Sequence, residues 1–76
     1  MTNVPQNIRE MWTDLYKLFD MNYLMEGTDD DWKRFYLKGK ELFEKYGQNP
    51  RFMDGVMFVS DMISDRLRAI KNAENS

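Results

Sequence analysis

Between Thr28 and Gly47 the apolar residues Trp32, Phe35, Tyr36, Leu42, Phe43 and Tyr46 recur at the i, i+3, i+4, i+7 spacing of one helical face, with Gly39 in the same row. A strand would scatter them over two faces; a helix gathers them on one. The ends are marked as clearly. Thr28 can accept a first-turn N–H, and Asp31, three residues on, supplies the acid of a capping box. Asp29, Asp30 and Asp31 suit the positive end of the helix dipole. Gly47 can turn left-handed, and Asn49-Pro50 stops one helix and starts the next. The spacing predicts a helix over 29–46. An internal Gly costs about 1 kcal/mol against Ala, so Gly39 is expected to admit a second helix at close range. The opposite face carries Lys33, Arg34, Lys38, Glu41, Glu44 and Lys45, and Asp29/Lys33, Asp30/Arg34 and Glu41/Lys45 are set for i, i+4 ion pairs. Leu37 is the misfit, pointing out among charges.

Two amphipathic stretches flank this helix. Pro5 suits a first turn, with Asn3 as a nearby cap, and Ile8, Met11, Trp12, Leu15, Tyr16, Leu18 and Phe19 form a broad apolar arc over 5–21. The pattern breaks after Asp20. In Met21 to Met25 the side chains would point all round a continuing helix, so the segment either caps the bundle or forms an exposed, Met-containing contact surface. Asn49 and Pro50 open a third helix over 50–72, with Phe52, Val56, Val59, Ile63, Leu67 and Ile70 in one stripe and Ser60 beside them. Gly55, Phe58, Met62 and Ala69 form a second stripe on its flank. Asp54, Asp61 and Asp65 lie on its polar face, Arg66, Arg68 and Lys71 gather near its C-terminus, and residues 73–76 are expected to fray. The short connections favour antiparallel neighbours. The expected fold is all-α: a compact antiparallel three-helix bundle in a single domain over 1–76.

Composition narrows function more than it defines it. The 76 residues include no Cys and no His, which removes disulfides, thiolate metal sites, the usual general base and the commonest zinc ligand. A net charge of −2 argues against a nucleic-acid-binding surface. No apolar run approaches the roughly 20 residues of a membrane span, and the N-terminus lacks signal-peptide character. A soluble, cytoplasmic, non-enzymatic protein without cofactor, metal or small-molecule substrate is expected.

Candidate sites follow by weighing ordinary and functional roles. The Asp29-Asp30-Asp31 run lacks the spaced ligands, central Gly and closing Glu of a calcium loop, so it reads as a helix start. Trp12, Tyr16, Trp32, Tyr36 and Phe43 could stack bases, but aromatics at helical spacing are usually core and no basic groove accompanies them. A DNA-reading third helix would carry acid in its middle. The residues that break the amphipathic rule are Leu37, Met57, Phe58 and Met62, flanked by Asp61 and Asp65. Exposed large apolar side chains ringed by charge read as partner anchors; ordinary packing in the wide arc of the third helix is the alternative for Phe58 and Met62. These six residues are the candidate partner-binding set, for a protein partner or for self-association as a structural homo-oligomer.

The opening Met11-Trp12-Thr13-Asp14-Leu15-Tyr16, the Asp31-Trp32 helix start and the run Glu41-Leu42-Phe43-Glu44-Lys45-Tyr46-Gly47 resemble, in size and style, small orphan helical proteins of phages and mobile elements of gut bacteria. The resemblance implies a non-enzymatic protein that binds another protein, as anti-CRISPR and other anti-defence inhibitors do. It carries no functional residues with it.

Overall fold

The structure, a computed structural model, describes residues 4–74. Among them are three helices and no strand: α1 (Gln6–Asn22), α2 (Asp29–Lys45) and α3 (Pro50–Glu74), each packed against the other two. This is the expected all-α three-helix bundle. The local signals act as their chemistry suggests. The Thr28 hydroxyl accepts from the Asp31 N–H at 3.1 Å, while the Asp31 carboxylate accepts from the Thr28 N–H at 3.3 Å and from the Gly27 N–H at 3.1 Å. Gly47 is left-handed at φ +68°, and so is Gln48 at +59°. The Gln48 N–H then reaches the Phe43 carbonyl and the Gly47 N–H the Glu44 carbonyl, closing α2 in a Schellman motif. Asn49 caps α3 by accepting from the Arg51 N–H at 2.9 Å. α1 begins one residue after Pro5, without a side-chain cap from it; the expected cap at Asn3 lies outside the described residues.

The core is built by the inner faces of all three helices: Met11, Leu15 and Leu18 from α1, Phe35 and Leu42 from α2, and Phe52, Val56, Val59 and Ile63 from α3. Phe35, Phe52 and Ile63 are wholly removed from water. Gly39 has the expected role, since an added Cβ would lie 3.0 Å from Val56 Cγ1. Gly55 plays the same part between α3 and α1, where an added Cβ would come 2.5 Å from Leu15 Cδ1. Ser60 is buried and shares a 3.2 Å hydrogen bond with the Tyr36 hydroxyl.

Other expectations change. The i, i+4 ion pairs of α2 do not form; Arg34 pairs with Asp31, Lys38 with Glu41 at 3.5 Å, and Lys45 reaches across to Asp14 of α1 at 2.9 Å. Ile70, placed in the core stripe, is exposed. At about 1.5 Å per residue, the 25-residue α3 outruns its 17-residue neighbours. Its overhang begins beyond Arg66 and Leu67, which meet the α1–α2 connection at Met25 and Gly27. Ala73 and Glu74 are helical rather than frayed. The Met21 to Met25 segment divides between its two roles: Tyr23 and Met25 pack on the core, while Met21 and Leu24 face water.

Candidate functional site

The outer flanks of α1 and α3 meet in an apolar groove of about 580 Å³. Its floor is Leu15, Gly55 and Val59; its walls are Trp12 and Tyr16 on one side and Phe58 on the other. Sequence pattern explains why a groove exists at all. α1 carries apolar side chains around nearly half its circumference; Met11, Leu15 and Leu18 are buried in the core, and Ile8 and Phe19 pack half-buried against it. Trp12 and Tyr16, one turn apart, continue the arc past the line of contact and remain 70% and 66% exposed. On α3 the matching outward flank holds Phe58, 65% exposed, with Met62 one turn further on. Gly55, having no side chain, lets Leu15 close against the α3 backbone, so that Leu15 fills that space and floors the groove between the two walls.

The expectation that Trp12 and Tyr16 are core residues is therefore overturned, and Tyr36 on α2 is also exposed. Trp32 and Phe43 are half-buried against the core, as helical spacing suggested. The breadth of the α1 arc was the signal that could have found the groove: one neighbouring helix does not cover so wide a stripe.

All six candidate partner-binding residues are exposed, but they do not form one patch. Phe58 lines the groove, and Met62 follows it along the same edge of α3. Asp61 and Asp65 stand on the outer face of α3 beside that edge. Met57 projects from the other flank of α3, about 100° round the helix from Phe58, and Leu37 belongs to α2; neither lines the groove. The rim is charged, with Arg51 and Asp54 3.5 Å apart across one turn of α3.

Elsewhere the polar groups that leave water are engaged in structure. On the seam between α1 and α2, Asp14 accepts from the Tyr46 hydroxyl and from Lys45. Partial burial pushes the Asp14 carboxyl up, but the Tyr46 hydroxyl and the Lys45 ammonium outweigh it and hold the group below its ordinary value. Arg66 donates to the Met25 carbonyl at 3.1 Å and lies over the Tyr23 ring, fastening the α1–α2 connection to α3. Asp31 is occupied by Arg34 and the α2 cap. Among the described residues no group of three or more acidic side chains is placed to hold a metal, and no helix is long and apolar enough to cross a membrane. A second cleft, of about 590 Å³, lies under the α3 overhang between Trp32, Leu67 and Ile70, but its rim of Glu26, Arg68, Lys71 and Glu74 is much more polar. Comparison with known proteins finds no matching family, no similar curated protein and no similar solved structure.

Proposed function

We propose that this chain is a non-enzymatic protein-binding module whose docking surface is the aromatic groove between α1 and α3. The observation that carries the proposal is the exposure of Trp12, Tyr16 and Phe58 side by side. An aromatic side chain carries roughly 150–250 Å², about two-thirds of it exposed at each of these positions, and a monomer rarely leaves a contiguous apolar patch of several hundred Å² in water without a use for it. Aromatic anchors at the centre of a charged rim are also the usual composition of a binding hot spot. A small molecule is a poorer occupant. Pockets for such ligands bury most of the ligand surface, whereas walls that are themselves two-thirds exposed cannot enclose one. The resemblance in size and style to phage-encoded and anti-defence inhibitors, which implies a protein that binds another protein, agrees with this reading.

Photo-crosslinking in cells that express the protein tests the proposal. A benzophenone side chain at position 58 or 12 is expected to trap a discrete protein, while the same group at Glu41, exposed on α2, is not. Equal labelling from all three positions, or none, would reject the groove as a docking surface.

A further inference from the structure

We infer that the occupant of the groove is a second copy of this chain, docked antiparallel about a two-fold axis that passes beside the contact of Leu15 with Gly55. The inference rests on the reading of the groove as a protein-docking surface and names what docks there. Two independent observations support it.

The first is area. With Trp12, Tyr16 and Phe58 about two-thirds exposed, the three rings leave roughly 300–500 Å² of apolar surface in water. A standard interface covers about 800 Å² per partner, of which a little over half is apolar. The patch is therefore the right size for the apolar centre of a stable dimer.

The second is charge. α1 and α3 run in the same direction, because Asn49 at the start of α3 touches Met11 while Arg66 near its end reaches Met25. Arg9 and Arg51 therefore share one end of the face, with Asp54 beside Arg51, and Asp20 and Asp61 share the other. Among the described residues Arg9, Asp20 and Asp61 make no ion pair, while Arg51 pairs with Asp54 across one turn at 3.5 Å, an exposed contact that a partner's charge can compete with. Asp65 forms an equivalent exposed pair with Arg68 at 3.4 Å, one turn beyond Asp61, and Lys17 lies further round α1, away from the groove. Along α1 the midpoint between Arg9 and Asp20 falls within one residue of Leu15. Along α3 the midpoint between Arg51 and Asp61 falls within one residue of Gly55. Leu15 and Gly55 are in contact, so both midpoints lie at one level of the bundle. A two-fold axis there, perpendicular to the helices, brings Arg9 of each copy to Asp20 of the other and Arg51 to Asp61. It also carries Trp12 towards the second copy's Tyr16, and Phe58 to the level of its Asp54 and Gly55. A closed two-fold contact of this kind uses the same surface on both chains and leaves no unmatched patch.

Sedimentation equilibrium of the whole chain decides the matter. The parent is expected to rise from 9.2 kDa to twice that mass with concentration, and Phe58→Asp to remain at 9.2 kDa while circular dichroism reports the parent's helix content. Arg9→Asp, on an exposed position, should weaken the dimer about tenfold, since the two-fold axis turns two attractive contacts repulsive. The exchange Arg9→Asp with Asp20→Arg should restore the parent's affinity. A parent that stays at 9.2 kDa up to about 1 mM, a dimer that survives Phe58→Asp, or an exchange no better than Arg9→Asp alone would overturn the inference. A monomeric parent that still crosslinks to a different protein from position 58 would overturn it while leaving the docking groove in place.

Discussion

Asp14 joins two helices through a single carboxylate. The Tyr46 hydroxyl and the Lys45 ammonium both donate to it from the end of α2, and a charge-assisted hydrogen bond is stronger than a neutral one. Its pKa lies below the ordinary 3.8. The stabilisation is therefore complete above that value and is lost as pH falls through the lower folded one. At the alkaline end the signs reverse. The Asp14 hydrogen bond raises Lys45, and burial followed by the same bond raises Tyr46, so their share is present below about pH 10 and lost as pH climbs past their raised values. Tyr46→Phe should cost about 1 kcal/mol at pH 7, with a gap to the parent that narrows at pH 3. Urea titrations at the two pH values measure it. A gap that stays the same would mean that the carboxylate charge plays no part in the bond.

Helix spacing in this bundle depends on glycine. Gly39 brings α2 to Val56, and Gly55 brings α3 to Leu15. The two differ in what surrounds the contact. Leu15 borders the open groove and has room to turn into it. Val56 is β-branched and 2% exposed, with little freedom to move. Gly39→Ala gains up to about 1 kcal/mol of helix propensity and is set against an overpacking cost of about 1–3 kcal/mol. A net loss near 1 kcal/mol is expected, which for a domain of this size lowers the melting temperature by about 4–8 °C. A thermal melt showing a rise instead would mean that Val56 yields and that α2 and α3 are not held at their closest approach.

The whole molecule measures 52 × 28 × 18 Å, a long and thin body for its length. Domains of this size bury a small fraction of their surface and keep a narrow margin of stability. Leaving Trp12, Tyr16 and Phe58 in water forgoes part of what aromatic burial normally contributes. Covering the groove recovers it, and a copy-on-copy contact makes stability depend on concentration. The parent's melting temperature should therefore climb over a hundredfold range of protein concentration, while that of Phe58→Asp should not. Identical melts at every concentration would place the missing burial elsewhere.

Local chemistry made much of the fold legible in the sequence. The Thr28–Asp31 box, the left-handed Gly47 and the Asn49-Pro50 start bound their helices as expected, because a cap depends on residues within a few positions of one another. The outward placement of Leu37 and Met57 was legible for a similar reason, since each falls outside the buried stripe of its own helix, whereas the pattern left Phe58 between packing and exposure. The groove was not legible. Periodicity shows that a face is apolar but not how far a neighbouring helix covers it, so Trp12 and Tyr16 read as core. Lys45 likewise had a local acid four residues back in Glu41, and only the packing of α1 on α2 gave it the better partner, Asp14. By itself the sequence determined where the helices begin and end and which face of each is apolar. The tertiary structure decided which part of each face stays in water, because that depends on contacts between residues far apart in the chain, set by the close approaches at Gly39 and Gly55.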